Sequence, residues 1–329
     1  MTEKRLQPFQ RNKSLESFLT EVNADLWHVE ESLLPAHKPA FPLVFVMGPL
    51  RSGSTLLTQW LANTGLFAYP TNLLSRFYRA PIMGAKLQLL LADERYNFRD
   101  ELKDFSQPVS FDSENGKTKG ALAPNEFWYF WRRFLPFGNI DYLPTSELFE
   151  KVDTKTLIAE FSGMMGVFNK PISLKAMILN YNIDFLDALF EKAVFIHCKR
   201  DPLTNMESAL NARKRQLGDI DKWYSFKIPE YPELSRLDPY EQVAGQIFHV
   251  NKAVEQGLEN VAQHKKMTVQ YEDFCRRPEA VFDELKSKLG ANGYDLDAEY
   301  CLAERFNISR DQVTDPRILR AYHAFYGKS

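Results

Sequence analysis

Phe41-Pro-Leu-Val-Phe-Val-Met-Gly-Pro-Leu-Arg-Ser-Gly-Ser-Thr-Leu-Leu57 is the stretch on which the fold turns. From Phe41 to Met47 the run is short and almost continuously apolar, the pattern of a strand buried on both faces of a parallel sheet. After Gly48, Leu56, Leu57, Trp60 and Leu61 recur at helical spacing, so the segment reads as strand, tight loop and helix. A loop placed there aims successive backbone N–H groups and a helix N-terminus at one spot, which suits anionic oxygens.

Outward from this point, two further runs have the same character: Ile172-Ser-Leu-Lys-Ala-Met177 and Ala193-Val-Phe-Ile-His-Cys198. Between them lies a helix carrying Phe185, Leu186, Leu189 and Phe190. Asp201-Pro202 and Asp238-Pro239 each supply an N-cap and a proline at the first helical position. After the second, Val243, Ile247, Val250, Val254, Leu258 and Val261 step along one helix face. Met267-Thr-Val-Gln-Tyr271 is a strand, and Pro278 opens a helix expected to stop at Gly290. Strands alternating with helices imply an α/β fold with a central parallel sheet and right-handed crossovers. The first 40 residues read as an N-terminal helical extension, and residues 69–161 as a long insert, since a crossover needs far fewer.

With 329 residues, the chain fits a single domain with such an insert. A formal net charge of −2 excludes a chain built to coat nucleic acid or an anionic membrane, so any anion site must be local. Cys198, Cys275 and Cys301 form no CxxC pair, which predicts a reducing, cytoplasmic setting with neither structural zinc nor disulfides. No apolar run reaches membrane-spanning length. Nothing fixes the oligomeric state, and a homodimer stays open.

Gly48 to Thr55 keeps the spacing of a Walker A loop, but Ser54 stands where its lysine belongs and a cation comes earlier, at Arg51. An ATP-dependent phosphoryl-transfer enzyme would lack that lysine; a non-catalytic nucleotide-binding module is the other alternative. The planar fork of Arg51 can hold a phosphate or sulfate bidentately, with Ser52, Ser54 and Thr55 adding hydroxyls. Arg200 ends the strand Ala193–Cys198, where ligands of open α/β sheets bind. Seven residues on from the N-cap Asp201, Ser208 returns to nearly the same helix face, so one anion can touch both Arg200 and Ser208.

Pro-Leu-Arg-Ser-Gly-Ser-Thr-Leu-Leu resembles the 5′-phosphosulfate loop of sulfotransferases that use 3′-phosphoadenosine-5′-phosphosulfate (PAPS), with Leu50 inserted after Pro49. Arg200-Asp-Pro with Ser208 resembles their 3′-phosphate motif, and Val269-Gln-Tyr-Glu-Asp-Phe-Cys-Arg-Arg-Pro278 a third family feature. The resemblance implies a three-layer, P-loop-like fold whose insert 69–161 forms the acceptor pocket. It implies PAPS as co-substrate, adenosine 3′,5′-bisphosphate (PAP) as product, no metal, and an acceptor bearing a hydroxyl, less commonly an amine. The donor would be held by Arg51, Ser52, Gly53, Ser54, Thr55, Leu56, Arg200, Ser208 and Tyr271, the last near the adenine or simply in the core.

Lys175, a lysine inside a buried strand, must find an anion. It resembles the catalytic lysine of the family, which contacts the bridging oxygen, and Arg51 joins it in the catalytic set. The general base is harder to place. Small-molecule members carry a histidine two residues after such a lysine, but Met177 stands there, and no acid follows the loop before Asp93. Glu126 is favoured, because Phe127, Trp128 and Phe130 beside it would raise its pKa toward neutrality; Glu114 and Asp112 remain alternatives, as does a helix-terminal role for Glu126. The aromatic run Phe127 to Trp131, with Phe134 and Phe137, either floors the pocket or is core. Arg213, Lys214 and Arg215 read as a solvated run that alternatively extends the anion field, and residues 310–320 as a segment that alternatively closes over the nucleotide.

Overall fold

The computed structural model describes residues 5–327 apart from 103–104, 106–108, 112, 115–116, 309–312 and 314. Its strands are β1 (Leu43–Met47), β2 (Ser113–Glu114), β3 (Lys117–Thr118), β4 (Ile172–Lys175), β5 (Ala193–Lys199) and β6 (Lys266–Gln270). The α-helices are α1 (Lys13–Leu33), α2 (Ser54–Asn63), α3 (Pro81–Ala92), α4 (Trp128–Phe134), α5 (Thr145–Lys151), α6 (Thr154–Phe168) and α7 (Ile183–Leu189). They continue with α8 (Pro202–Leu217), α9 (Tyr231–Leu234), α10 (Pro239–Glu259), α11 (Tyr271–Arg276), α12 (Pro278–Ala291) and α13 (Pro316–Tyr326).

Four parallel strands form the central sheet in the order β4-β1-β5-β6, while β2 and β3 make a separate antiparallel pair. The alternation of the strands sorts their side chains into two cores. Leu43, Phe45 and Met47 join Leu174 and Phe195 against Phe161 of α6 and Phe185 of α7. Val44 and Val46 join Ile196 and Val269 against Leu57 and Trp60 of α2 and Phe282 of α12. The centre of the sheet is therefore covered on both faces, which explains why β1 reads as an unbroken apolar run. The register pairs Val46 with Lys175, Met47 with His197 and Lys199 with Gln270, so the segments following β1, β4, β5 and β6 leave the sheet at one edge.

The sequence differs from the structure at element ends. The second run is strand only to Lys175, and Met177–Leu179 is a 3-10 turn. Tyr271 opens α11 rather than ending β6. Gly290 lies inside the last turn of α12, and the left-handed residue that follows the helix is Gly293 (φ 76°). Part of the segment 310–320 falls outside the described residues; the rest forms α13, packed on α8 and α10. Among the described residues no helix is long and apolar enough to cross a membrane.

Candidate active site

The loop between β1 and α2 is shaped by close approaches that only glycine permits. A Cβ on Gly48 (φ 131°) would lie 2.4 Å from the carbonyl oxygen of Cys198 on β5, and one on Gly53 (φ 95°) would lie 2.2 Å from Cδ2 of Tyr271. The buried Asn180 fixes the loop's start: its Oδ1 accepts from Gly48 N–H (2.9 Å) and its Nδ2 donates to Gly48 C=O (2.8 Å). Nothing in the sequence marked Asn180 as part of the site. Arg51 takes a left-handed conformation (φ 61°), which costs an arginine about 1–2 kcal/mol. Its carbonyl accepts from Arg200 Nη1 (3.2 Å), and the Asn205 amide, in the orientation that satisfies its hydrogen bonds, donates to Leu50 C=O (2.9 Å) and Arg51 C=O (3.3 Å).

The loop and the distant Arg200–Ser208 motif meet at this point. Arg51 Nε donates to Ser208 Oγ at 3.1 Å across 157 positions of sequence. The buried guanidinium of Arg200 lies 4.8 Å from the centre of the Tyr271 ring, the ring that also packs closely on Gly53. The buried hydroxyl of Ser52 has no hydrogen-bond partner among the described residues, an orphan group of the kind a bound anionic oxygen would satisfy. Ser54 donates to Met177 Sδ (3.6 Å), Thr55 accepts from Lys175, and Leu56 packs half-buried against the second core.

Lys175 and Glu126 form the other half of the site. Lys175, 6% exposed, donates from Nζ to Thr55 Oγ1 (2.9 Å) and to Glu126 Oε1 (3.0 Å), while Trp131 Nε1 donates to its carbonyl (3.2 Å). The buried lysine thus finds its anion, as its position in β4 demanded. Glu126 also accepts from the indole N–H of Trp128, and its side chain is 36% exposed. The expectation of a raised pKa is reversed. Burial pushes the Glu126 carboxyl up, but the Lys175 ammonium, the Trp128 N–H and the Arg51 charge more than offset it, and its pKa lies below the usual glutamate value.

Other expectations resolve on the same geometry. Phe127, Phe130, Trp131 and Phe134 are core, and Trp128 alone of the run from Phe127 to Trp131 combines partial exposure with a bond to Glu126. Arg213 is not solvated: it is 1% exposed, donates to Gln242 Oε1 (2.8 Å) and Ile220 C=O (3.2 Å), and lies 5.3 Å from the Trp223 ring. Lys214 and Arg215 are exposed. Glu114 stands in β2, and Asp112 lies outside the described residues. Burial drives the pKa of His197 down to about 4, and its ring meets Asn251 Oδ1 at 3.0 Å, so it is a neutral structural group. Among the described residues no group of three or more His, Cys, Asp or Glu side chains is arranged to hold a metal ion.

The profile of a family described as "Sulfotransferase family" matches residues 42–295. The curated proteins give no significant sequence match. Among solved structures, the chain is similar to the sulfotransferase STF9 from Mycobacterium avium, at 16% identity and a TM-score of 0.52, covering 96% of this chain and 84% of that one. It is similar also to the sulfotransferase STF1 from Mycobacterium tuberculosis, at 13% identity and a TM-score of 0.52, covering 96% of this chain and 82% of that one. At such identities the likeness is one of fold.

Proposed function

The chain belongs to the sulfotransferase family, and from that premise we propose that it moves the sulfuryl group of PAPS to the hydroxyl of an acceptor. The observation that carries the reading is the meeting of Arg51 with Ser208 and Arg200, two phosphate-type motifs far apart in sequence and in contact in the fold. A nucleotide with phosphate at two ends fits that pair of motifs, and the unpartnered Ser52 hydroxyl marks the floor of the loop as polar and unsatisfied. In this reading Arg51, Ser52, Gly53, Ser54, Thr55 and Leu56 form the 5′-phosphosulfate side. Arg200 and Ser208 form the 3′-phosphate side, with Tyr271 beneath Arg200.

PAPS, when bound, supplies an activated sulfuryl group that needs no covalent enzyme intermediate. The work left to the protein is to orient, to exclude water and to manage one proton. Lys175 brings a cation to the Thr55 end of the loop, where charge grows on the departing oxygen. Glu126, ionised at neutral pH and partly exposed, takes the proton of the acceptor hydroxyl. The pair is reciprocal: the ammonium keeps the carboxylate charged and ready to accept, and the carboxylate offsets the cost of burying the ammonium. With three unpaired cysteines, one of them exposed, the protein suits a reducing compartment, and we place it in the cytoplasm.

Calorimetry tests the donor assignment. PAP without metal should bind in the micromolar range and in preference to ADP with Mg²⁺; the opposite preference would favour phosphoryl transfer and reject the proposal. Labelled PAPS with a panel of hydroxyl and amine acceptors, read by mass spectrometry, then identifies what receives the group.

A further inference from the structure

Leu50 is a residue of the donor loop with no polar chemistry to offer, yet it is buried to 6% exposure. Its side chain enters an apolar cluster with Met206 and Leu210 of α8, Ile247 of α10, and Ile318 and Ala321 of α13. One residue later the chain makes its left-handed turn at Arg51 and sends the guanidinium to Ser208. The apolar anchor and the carbonyl bonds to Asn205 and Arg200 together pull this side of the loop onto α8.

The far end of α13 reaches toward the second motif. Tyr326 stacks on Tyr322 (4.9 Å) and stands edge-on to Phe248 of α10 (5.2 Å). On α10, Asn251 Oδ1 meets the ring of His197 of β5, three residues before Arg200. Next to Tyr326, Phe325 comes close enough to α10 that a Cβ on Gly245 would lie 2.9 Å from its Cζ. One helix therefore packs behind the donor loop and against α8 and α10 while contributing none of the groups assigned to the donor.

We infer that α13, acting through Leu50, is a positioning element that holds the donor loop in its binding-competent curvature. The inference rests on the reading of this loop as the PAPS loop. With the anchor shortened, the free enzyme populates other loop conformations, and donor binding must select against them. Once donor saturates the site, its own contacts restore the loop, so affinity falls and turnover survives.

The test measures PAP affinity by calorimetry, PAPS KM and kcat, and Tm, for full-length variants. Leu50→Ala should raise the PAP Kd and the PAPS KM about tenfold and leave kcat within about twofold. Leu50→Met should restore both, Ile318→Ala should match Leu50→Ala, and the double variant should show no further rise, because both act through one apolar cluster. Leu148→Ala, in the separate apolar core that packs α5 to α7 on the sheet, should lower Tm with no change in Kd. Should Leu50→Ala fail to fold, Leu50→Val with Ile318→Val carries the same cycle at smaller amplitude. An unchanged Kd in the Leu50 variants, or additive effects of Leu50 and Ile318, overturns the inference while the donor reading stands. Failure of the unaltered protein to bind PAP removes that reading and this inference with it.

Discussion

Changing Glu126 to glutamine removes the carboxylate to which the proposed reaction assigns the acceptor's proton. The amide keeps one oxygen, which can still accept from Lys175 Nζ, 3.0 Å from Oε1, but its NH2 takes the place of Oε2 and cannot accept from the Trp128 indole, so the charge and that one hydrogen bond are lost. A general base contributes about 10²–10⁴ in rate. Because Lys175 and Arg51 hold the Glu126 pKa below the ordinary value, it is a weaker base than one poised at neutrality, and the low end of the range applies. The expected loss in kcat is therefore about 10², equivalent to about 2.7 kcal/mol of transition-state stabilisation. PAP affinity, which the proposal assigns to the loop and to Arg200 and Ser208, should move less than about threefold, below 0.7 kcal/mol or so. The pH profile carries the sign. A carboxylate with a depressed pKa is already ionised at pH 6, so the unaltered enzyme should show no acid limb from this group between about pH 6 and 8, and should lose activity only as the pH falls below the ordinary glutamate range, about 4.3. The glutamine variant should lack that limb. Transfer assays with labelled PAPS at saturating acceptor, paired with PAP calorimetry, give both readouts. Full kcat in the variant, or an acid limb of the unaltered enzyme centred near pH 7, refutes the assignment.

Lys175→Met removes the largest influence that lowers the Glu126 pKa and leaves burial opposed only by Trp128 and Arg51, so the residual activity should fall with acid at a higher pH than in the unaltered enzyme. The same variant should depress kcat more than PAP affinity; equal losses in both would make Lys175 a binding residue. Arg200→Ala should weaken PAP by about 1.5–3 kcal/mol in calorimetry, the worth of a charged hydrogen bond, with little change in the far-ultraviolet dichroism spectrum, and unchanged affinity would reject the clamp. Gly48→Ala drives a methyl against the Cys198 backbone, which cannot swing aside as a side chain can, and should lower stability by about 3 kcal/mol or more in urea titration; an unaltered midpoint would mean the loop has another resting shape.

The sheet was legible because burial on both faces leaves an unmistakable mark. Val44 and Val46 face one core, Leu43, Phe45 and Met47 the other, and no polar position interrupts the five. Helix starts were legible where local chemistry set them, as at Asp201, whose Oδ1 accepts from Thr204 N–H (2.9 Å), and Asp238, which accepts from Tyr240 and Glu241. Ends were less so, since the final turn of α12 extends through Gly290 on contacts that propensity does not contain. Arg213 shows a signal passed over: it lies seven residues after Met206 and four after Ala209, both buried, so helical geometry placed it on the inner face despite Lys214 and Arg215 beside it.

The site itself divides between what neighbours in sequence determine and what neighbours in space determine. The aromatic residues flanking Glu126 are visible in the chain and argue for a raised pKa; Lys175, 49 positions away, is the group that reverses the argument. Asn180 gives no local hint that it returns 132 positions to grip both polar groups of Gly48. Leu50, which reads as an extra residue in a phosphate loop, becomes intelligible only beside Ile318 and Ala321. In each case the chemical type was readable and the partner was not, because a long-range contact is settled by packing of the whole sheet and its helices. The charge state of Glu126, the carboxylate proposed as the base, is therefore the feature of this site least open to inference from sequence, and the one on which its proposed pH behaviour depends most directly.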